Sequence, residues 1–577
     1  MSEAISVGGS DALCIINQKI ESMTEKNPQS LNRLIEKAIR ENWNRMSLSD
    51  MGGMNYQYKD VAEWIAKLHI LFESAGVRPG DHVAICGKNS SNWAVIFLAC
   101  LTSGVVAVPI LHEFKPDTIH HLVNHSDARL LFVDAAIWEN LDERLMPDLT
   151  GVIYISEWGM PVSRSERLTE ARNNINELFG HKYPYSFGPD DVKYFEDQPE
   201  QTCVINYTSG STGMSKGVML PCRSLWSNIK YCLENLTFFN AGDNIVNMLP
   251  LAHMYGMVIE MLNPFCTGCH CYFLTKLPSP KVILKAFADV KPRLIITVPL
   301  IVEKIIRNKV FPMLDKPLMK ILLRVPYLDD RLLAKIKENL LQAFGGNLAE
   351  IIIGGAPLNP DVEKFLYKIG FPVTVGYGMT ECGPLISYAS SKISKPHTVG
   401  RVVDNMEVKI DSPDPEHVPG NIMVRGTNVM NGYYKNQKAT DEVLAGFDGW
   451  MNTGDMGTID AEGFITINGR SKTMILGPSG QNIYPEEIEA KLNNLPYVNE
   501  SLVIEDGDHL EALVHPDFDA ALTQHIDRDE LEKIMLQNLD QLNTELPSYS
   551  KVKSIKIMEE EFEKTPKRSI KRFLYQH

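Results

Sequence analysis

The residues Tyr207-Thr-Ser-Gly-Ser-Thr-Gly-Met-Ser-Lys216-Gly217 concentrate glycines, hydroxyl side chains and one lysine directly after the apolar run Cys203-Val-Ile. Glycine lets the backbone approach an anion closely, backbone N–H groups and hydroxyls donate to its oxygens, and lysine adds a full positive charge. The chemistry expected of such a loop is phosphate binding. The stretch fails the Walker pattern, because Gly210 and Gly213 are too close together and Gly217, not Ser or Thr, follows Lys216. An ordinary P-loop NTPase is thereby disfavoured, and another nucleotide chemistry is expected.

Further polar segments follow in order: Gly354-Gly-Ala-Pro357, Gly376-Tyr-Gly-Met-Thr-Glu381, Thr453-Gly-Asp455 and Gly469-Arg470. Together with the first loop, their order and spacing resemble the adenylate-forming superfamily of acyl-CoA synthetases, firefly-type luciferases and peptide-synthetase adenylation domains. The resemblance runs from about Tyr56 to the C-terminus. Ile352-Ile-Gly-Gly-Ala-Pro-Leu-Asn-Pro360 and Val362-Glu-Lys-Phe-Leu366 look most like long-chain fatty acid–CoA ligases.

What the resemblance implies can be given residue by residue. Thr208, Ser209, Gly210, Ser211, Thr212, Gly213 and Lys216 would hold the β- and γ-phosphates of ATP, with Ser215 standing where the family usually has proline. Glu381, beside Thr380 and with the Thr208 hydroxyl nearby, is the candidate Mg²⁺ ligand, since magnesium takes hard oxygen donors. Tyr377 and Gly378 would lie against adenine, with Gly355 and Ala356 on the other side of the base. Asp455 would accept from the ribose hydroxyls, and Arg470 would present its planar donor fork to ribose or phosphate. His253, in Leu249-Pro-Leu-Ala-His-Met-Tyr-Gly256, would lie beside the acyl pocket. Lys472 occupies the family's hinge position, although Thr473 replaces the aspartate common after it.

The C-terminus departs from the family. Thr565-Pro-Lys567-Arg-Ser569-Ile-Lys571-Arg572 places Ser569 where relatives carry the lysine that reaches the α-phosphate and the substrate carboxylate. Lys567 and Lys571 lie two residues to either side, and in an extended loop alternating side chains would share one face. Either is a candidate replacement. The expected activity is that of an ATP-dependent fatty acid–CoA ligase, with medium or long chains preferred and with ATP, Mg²⁺ and coenzyme A required. The alternatives are an enzyme that loads an acyl-carrier protein from the adenylate, or a weakly catalytic nucleotide- and lipid-binding protein.

These residues need a scaffold, and along the chain apolar strand-like runs alternate with amphipathic helical runs, as expected of an α/β fold. His82–Cys86, Val105–Ile110, Leu130–Val133, Gly151–Ile155, Leu294–Thr297 and Glu350–Ile353 read as strands, Val61–Ala75 as a helix, and Trp93–Leu101 as a buried helix too short to span a bilayer. Residues 398–425 read as a small antiparallel β-rich subdomain, Pro485–Leu492 as a helix and Leu510–Val514 as a strand. The expected organisation is a large N-terminal adenylation lobe, residues 1–470, built of α/β sheets with the β-rich subdomain, and a smaller mobile α+β lobe, residues 471–577. At 577 residues, 44% hydrophobic and 22% charged, a large core is available. The net charge of −15 disfavours nucleic acid as a partner. The N-terminus lacks a signal-peptide pattern and no transmembrane segment is expected, which suggests a cytoplasmic protein. The ten cysteines are scattered through apolar segments, and Cys266-Thr-Gly-Cys269-His-Cys271 reads as packing around a strand and its lead-in rather than as a metal site.

Overall fold

The helix Ser91–Thr102 has no polar face, and all twelve of its residues are buried. Its N-terminus is capped by the Ser90 hydroxyl, which accepts from the Trp93 N–H. A helix apolar all round must be covered on every side, and two sheets do this. In the computed structural model, the residues described are 29–208, 215–276, 279–325, 328–446, 448–476, 482–507, 509–565 and 570–576.

The first sheet has eight strands in the order Gly432–Tyr433, Lys216–Pro221, Thr202–Thr208, Val106–Ile110, His82–Cys86, Ala128–Val133, Gly151–Tyr154 and Val162–Ser163. Its centre is parallel, and antiparallel strands close both edges. The second has seven strands: Val373–Val375, Glu350–Ile353, Leu294–Thr297, Asn244–Asn247, His270–Phe273, Met46–Asp50 and Asn55–Gln57. All pair in parallel except the last. Along His82–Cys86, Val83 and Ile85 join the central core while Ala84 and Cys86 join the core on the opposite face. That alternation is why the strand reads as a continuous apolar run. The central core unites the facing sides of both sheets with the helices Tyr58–Ser74, Ser91–Thr102 and Cys222–Asn235.

The β-rich subdomain is a four-stranded antiparallel sheet of Met406–Asp411, Gly420–Gly426, Met451–Ile459 and Ile465–Arg470. It extends well beyond the segment expected from sequence. The smaller lobe packs the helices Pro485–Leu492 and Arg528–Glu545 on a sheet of Val498–Asp506, His509–Pro516 and Val552–Ile557, with its own apolar core. The expected strands and helices occur within a few residues of the anticipated ends. One flank differs: the lead-in to the strand at Cys271 is a π-helix, Tyr255–Leu262, followed by the helix Asn263–Thr267. In that cluster the Cys269 thiol donates to the Asn240 carbonyl at 3.2 Å and burial pushes the Cys266 thiol up to about 12. The intervening His270 turns to Ser49, with Nε2 and Oγ 2.7 Å apart. Among the described residues, no group of three or more His, Cys, Asp or Glu is placed to hold a metal ion, and no helix is long and apolar enough to cross a membrane.

Candidate active site

The strands Thr202–Thr208 and Lys216–Pro221 form a hairpin whose last pair sets Thr208 opposite Lys216 and Tyr207 opposite Gly217. A Cβ on Gly217 would come within 2.9 Å of Ile205 and 3.1 Å of the Tyr207 ring, so the packing there excludes a side chain. The loop residues Ser209, Gly210, Ser211, Thr212 and Gly213 lie outside the described residues. Lys216 leaves the hairpin with its ammonium 4.9 Å from the centre of the Tyr433 ring, a cation–π arrangement.

Tyr433 connects the lysine to a carboxylate. Its hydroxyl donates to Glu381 Oε1 at 2.9 Å, and Thr380 beside Glu381 is buried. Burial first, then the Glu381 charge, pushes the Tyr433 hydroxyl well above its ordinary value, so it stays a donor. Glu381 lies in a short 3₁₀ turn, Thr380–Cys382, that follows the pair Tyr377–Gly378. A Cβ on Gly378 would stand 2.1 Å from the Pro384 carbonyl oxygen, so only glycine allows this approach. Among the described residues, no hydrogen bond joins Thr208 to Glu381 and no ion pair engages Glu381, whose carboxylate accepts from Tyr433 beside the hairpin. A hard oxygen donor in that position fits a divalent cation such as Mg²⁺.

The second group sets two buried residues, Asp455 and Tyr377, beside an exposed arginine. Asp455 and Arg470 face each other across the antiparallel strands Met451–Ile459 and Ile465–Arg470. Arg470 Nε lies 3.2 Å from Asp455 Oδ1, and the Tyr377 hydroxyl donates to Oδ2 at 2.6 Å. Burial pushes the Asp455 carboxyl above its usual range, while Arg470 and then the Tyr377 hydroxyl oppose the shift and Glu486 adds to it. Gly454, at φ +75°, has open space where a Cβ would stand.

The third group is the turn that follows the strand Glu350–Ile353. Gly355 adopts φ +85°, and a Cβ on Gly354 would meet the Tyr255 ring at 3.0 Å. The Tyr255 hydroxyl donates to the Ile352 carbonyl at 3.1 Å, and its N–H donates to His253 Nδ1 at 3.3 Å. One aromatic residue thus links the Gly355-Ala356 turn to the His253 segment. That segment is fixed by side chains that no motif singles out. Asn89 donates to the Leu249 carbonyl at 2.7 Å and accepts from the Leu251 N–H at 2.9 Å; Asn206 donates to the Ala252 carbonyl at 2.8 Å. The fully buried Glu260 accepts from the N–H groups of Met248 and Leu249 at 3.0 and 2.9 Å, and burial holds its carboxyl well above the usual range. Buried polar residues in apolar runs are the only sequence signal for these roles.

Among the described residues, Lys571 is not paired with any of these groups: beside an antiparallel bridge between Lys564 and Ile570, it pairs with Glu563 at 2.8 Å. Lys567 and Ser569 lie outside the described residues. Arg572 binds Glu489 directly and lies 3.6 Å from Glu486, on the helix Pro485–Leu492. Lys472 lies in the turn after Arg470, where the Ser471 N–H donates to the Gly454 carbonyl at 2.9 Å. The neighbouring Thr473 hydroxyl donates to Glu486 at 2.7 Å.

Two family models cover this arrangement, one described as AMP-binding enzyme over residues 35–434 and one as AMP-binding enzyme C-terminal domain over residues 472–576. The chain belongs to the AMP-binding enzyme family. This AMP-binding enzyme is 28% identical over 463 residues to a long-chain-fatty-acid–CoA ligase of Mycobacterium bovis, covering 75% of this chain and 72% of the relative. It is 27% identical over 503 residues to the long-chain-fatty-acid–CoA ligase of Escherichia coli O157:H7, covering 83% of each. Its fold matches the ATP-bound MatB of Rhodopseudomonas palustris with a TM-score of 0.73 at 22% identity, over 94% of this chain and 98% of the other. It matches an anthranilate CoA ligase in complex with anthranoyl-AMP with a TM-score of 0.74 at 18% identity, over 95% and 96% of the two chains.

Proposed function

We propose that this AMP-binding enzyme is an ATP-dependent fatty acid–CoA ligase acting on medium or long chains. A fatty carboxylate oxygen attacks the α-phosphorus of ATP, the bond from that phosphorus to the bridging oxygen breaks, and pyrophosphate leaves. The thiol sulfur of coenzyme A, having given up its proton, then attacks the acyl carbonyl carbon, and AMP leaves with the electrons of the cleaved C–O bond. The observation that carries the reading is the pair of groups set for the two ends of a nucleotide: Tyr377, Asp455 and Arg470 suit ribose hydroxyls and adenine, and Lys216 with Glu381 suits the phosphates. Glu381 and Thr208 would hold Mg²⁺, which when bound neutralises phosphate charge as pyrophosphate departs. The named activities of the Mycobacterium and Escherichia relatives support fatty acid as the class of acid.

The lysine that reaches the α-phosphate comes from the C-terminal loop. Lys567 and Lys571 are both candidates, and for Lys571 the surface pairing with Glu563 has to open first. We take the lobe boundary at residues 470 and 471, with Lys472 the hinge about which the smaller lobe exchanges adenylate formation for thioester formation. The test is mass spectrometry of products from Mg-ATP and a mixture of fatty acids, with and without coenzyme A. AMP and one acyl-CoA accumulating only with coenzyme A supports the ligase. Persistent acyl adenylate, converted only on adding acyl-carrier protein, supports the carrier-loading alternative, and ATP binding without AMP formation overturns both. Acetate or benzoate outrunning every medium and long chain removes the fatty acid assignment.

A further inference from the structure

After the helix Pro299–Ile305 and the π-helical turn Ile306–Val310, whose Ile306 and Val310 still join the core, the chain turns to the surface, with Phe311, Met313 and Leu314 only half-buried against that core. The short helices Phe311–Leu314 and Pro317–Leu322 contain no buried residue. Each has proline within its first two positions, which breaks the segment into pieces lying along the surface. Yet the segment is apolar. Leu318 is 69% exposed and Ile321 61%, and they stand three residues apart on one helical face. Val325, reached by a turn in which its N–H donates to the Leu322 carbonyl, and then Leu328 continue the exposed apolar surface.

The charge around this strip is opposite to that of the chain. Between residues 304 and 330, just past Leu328, six basic residues stand against three acidic ones, a local formal charge of +3 in a protein of −15. Lys309, Lys316, Lys320 and Arg324 are all exposed. Of the acids, Asp315 lies 3.1 Å from Lys320, both well exposed to solvent, and Asp329 and Asp330 follow Leu328 at the far end.

We infer that the surface formed by Leu318, Ile321, Lys316, Lys320 and Arg324 docks on an anionic lipid bilayer. Exposed apolar side chains ringed by Lys and Arg are suited to lie in the headgroup layer, where the hydrocarbon takes the apolar side chains and anionic lipids hold the cations. A symmetric contact between two copies would instead set +3 against +3. The surface also sits next to the site. Glu303, on the helix that leads into it, accepts from the Asn359 N–H at 2.8 Å at the end of the Gly355-Ala356 turn, and Phe311 packs on Phe365 with ring centres 5.6 Å apart. Docking would bring the acyl side of the site to the phase in which long-chain acids dissolve, but it does not depend on which acid is activated.

The full chain is sedimented with vesicles of phosphatidylcholine alone and of equimolar phosphatidylcholine and phosphatidylglycerol, in dilute and in concentrated salt. Binding to the anionic vesicles only, weakened by salt, is expected. K316Q/K320Q/R324Q lowers the partition by about fivefold per cation removed, and L318S/I321S lowers it by about tenfold or more. Melting temperatures of both variants stay at that of the unsubstituted chain, because the altered side chains are exposed. No binding to anionic vesicles, or equal binding by both variants, overturns the proposal. So does concentration-dependent self-association that L318S/I321S abolishes while vesicle binding is absent. None of these readouts uses turnover, so a failed ligase assay leaves them legible.

Discussion

The proposed ribose side of the site and the proposed lysine segment of the smaller lobe handle charge in opposite ways. Asp455 is buried, accepts a hydrogen bond from a buried tyrosine, pairs at 3.2 Å with an arginine that is itself exposed, and is held by strand register. Lys571 pairs with the exposed Glu563, a surface contact that solvent screens and that contributes little. The first arrangement is preorganised before a nucleotide arrives. The second can be given up at little cost, as a group that must enter and leave a site requires. The contrast separates groups that define where the nucleotide lies from groups that move to it.

Four substitutions probe this contrast. The largest effect is expected from Glu381→Gln, which removes the candidate metal ligand but keeps a hydrogen-bond acceptor for Tyr433. ATP–pyrophosphate exchange should fall about 10²–10³-fold, the scale of losing one preorganised electrostatic partner, with the melting temperature unchanged. An exchange rate within a few-fold of the original would remove Glu381 from the metal site. Asp455→Asn should act on binding instead, raising the ATP KM by about ten- to a hundredfold, since a hydrogen bond to a charged group contributes roughly 1.5–3 kcal/mol. A change confined to kcat would contradict its place on the ribose.

Arg572→Ala tests how the loop is held. Burial raises Glu489 to about 7, above the ordinary carboxylate value, and Arg572 is the main opposing influence. Ionising this group in the fold therefore lowers stability as pH rises from the ordinary carboxylate range through about 7, and Arg572 limits that loss. Without the arginine the smaller lobe should lose about 3 kcal/mol, more at about pH 8 than at about pH 6, read from melting curves at both. A pH-independent loss would mean that Arg572 acts through packing alone. The smallest expected effect is that of Arg470→Gln at its optimum pH. Removing the largest influence that opposes burial at Asp455 makes that carboxyl protonate at higher pH. The acidic limb of the pH–rate profile in kcat/KM for ATP should then move upward while the plateau changes little. An unmoved limb would place Arg470 on phosphate rather than beside Asp455.

The fold and the site are legible in the sequence to unequal degrees. The parallel strands show themselves because both faces are buried, so that Val83 and Ala84 alike must be apolar. Gly217 and Gly378 stand out as glycines in motifs, and packing supplies the reason, a side chain or carbonyl where a Cβ would be. Tyr433 is not legible, because nothing in Asn431-Gly-Tyr-Tyr434 marks a residue that touches both Lys216 and Glu381. Glu260 is not legible either, since an acid within an apolar helix gives no sign of the two N–H groups it will meet.

Residue types, their order and the family follow from the amino-acid sequence alone, because phosphate loops, acidic acceptors and turn glycines are local requirements that tolerate few substitutes. Which of these groups meet is a matter of tertiary structure: Tyr433 joins lysine to carboxylate, Asp455 is buried between Tyr377 and Arg470, and Lys571 is paired with Glu563. Such pairings depend on strand register and on the packing of segments far apart in the chain, and neither is written in any local pattern.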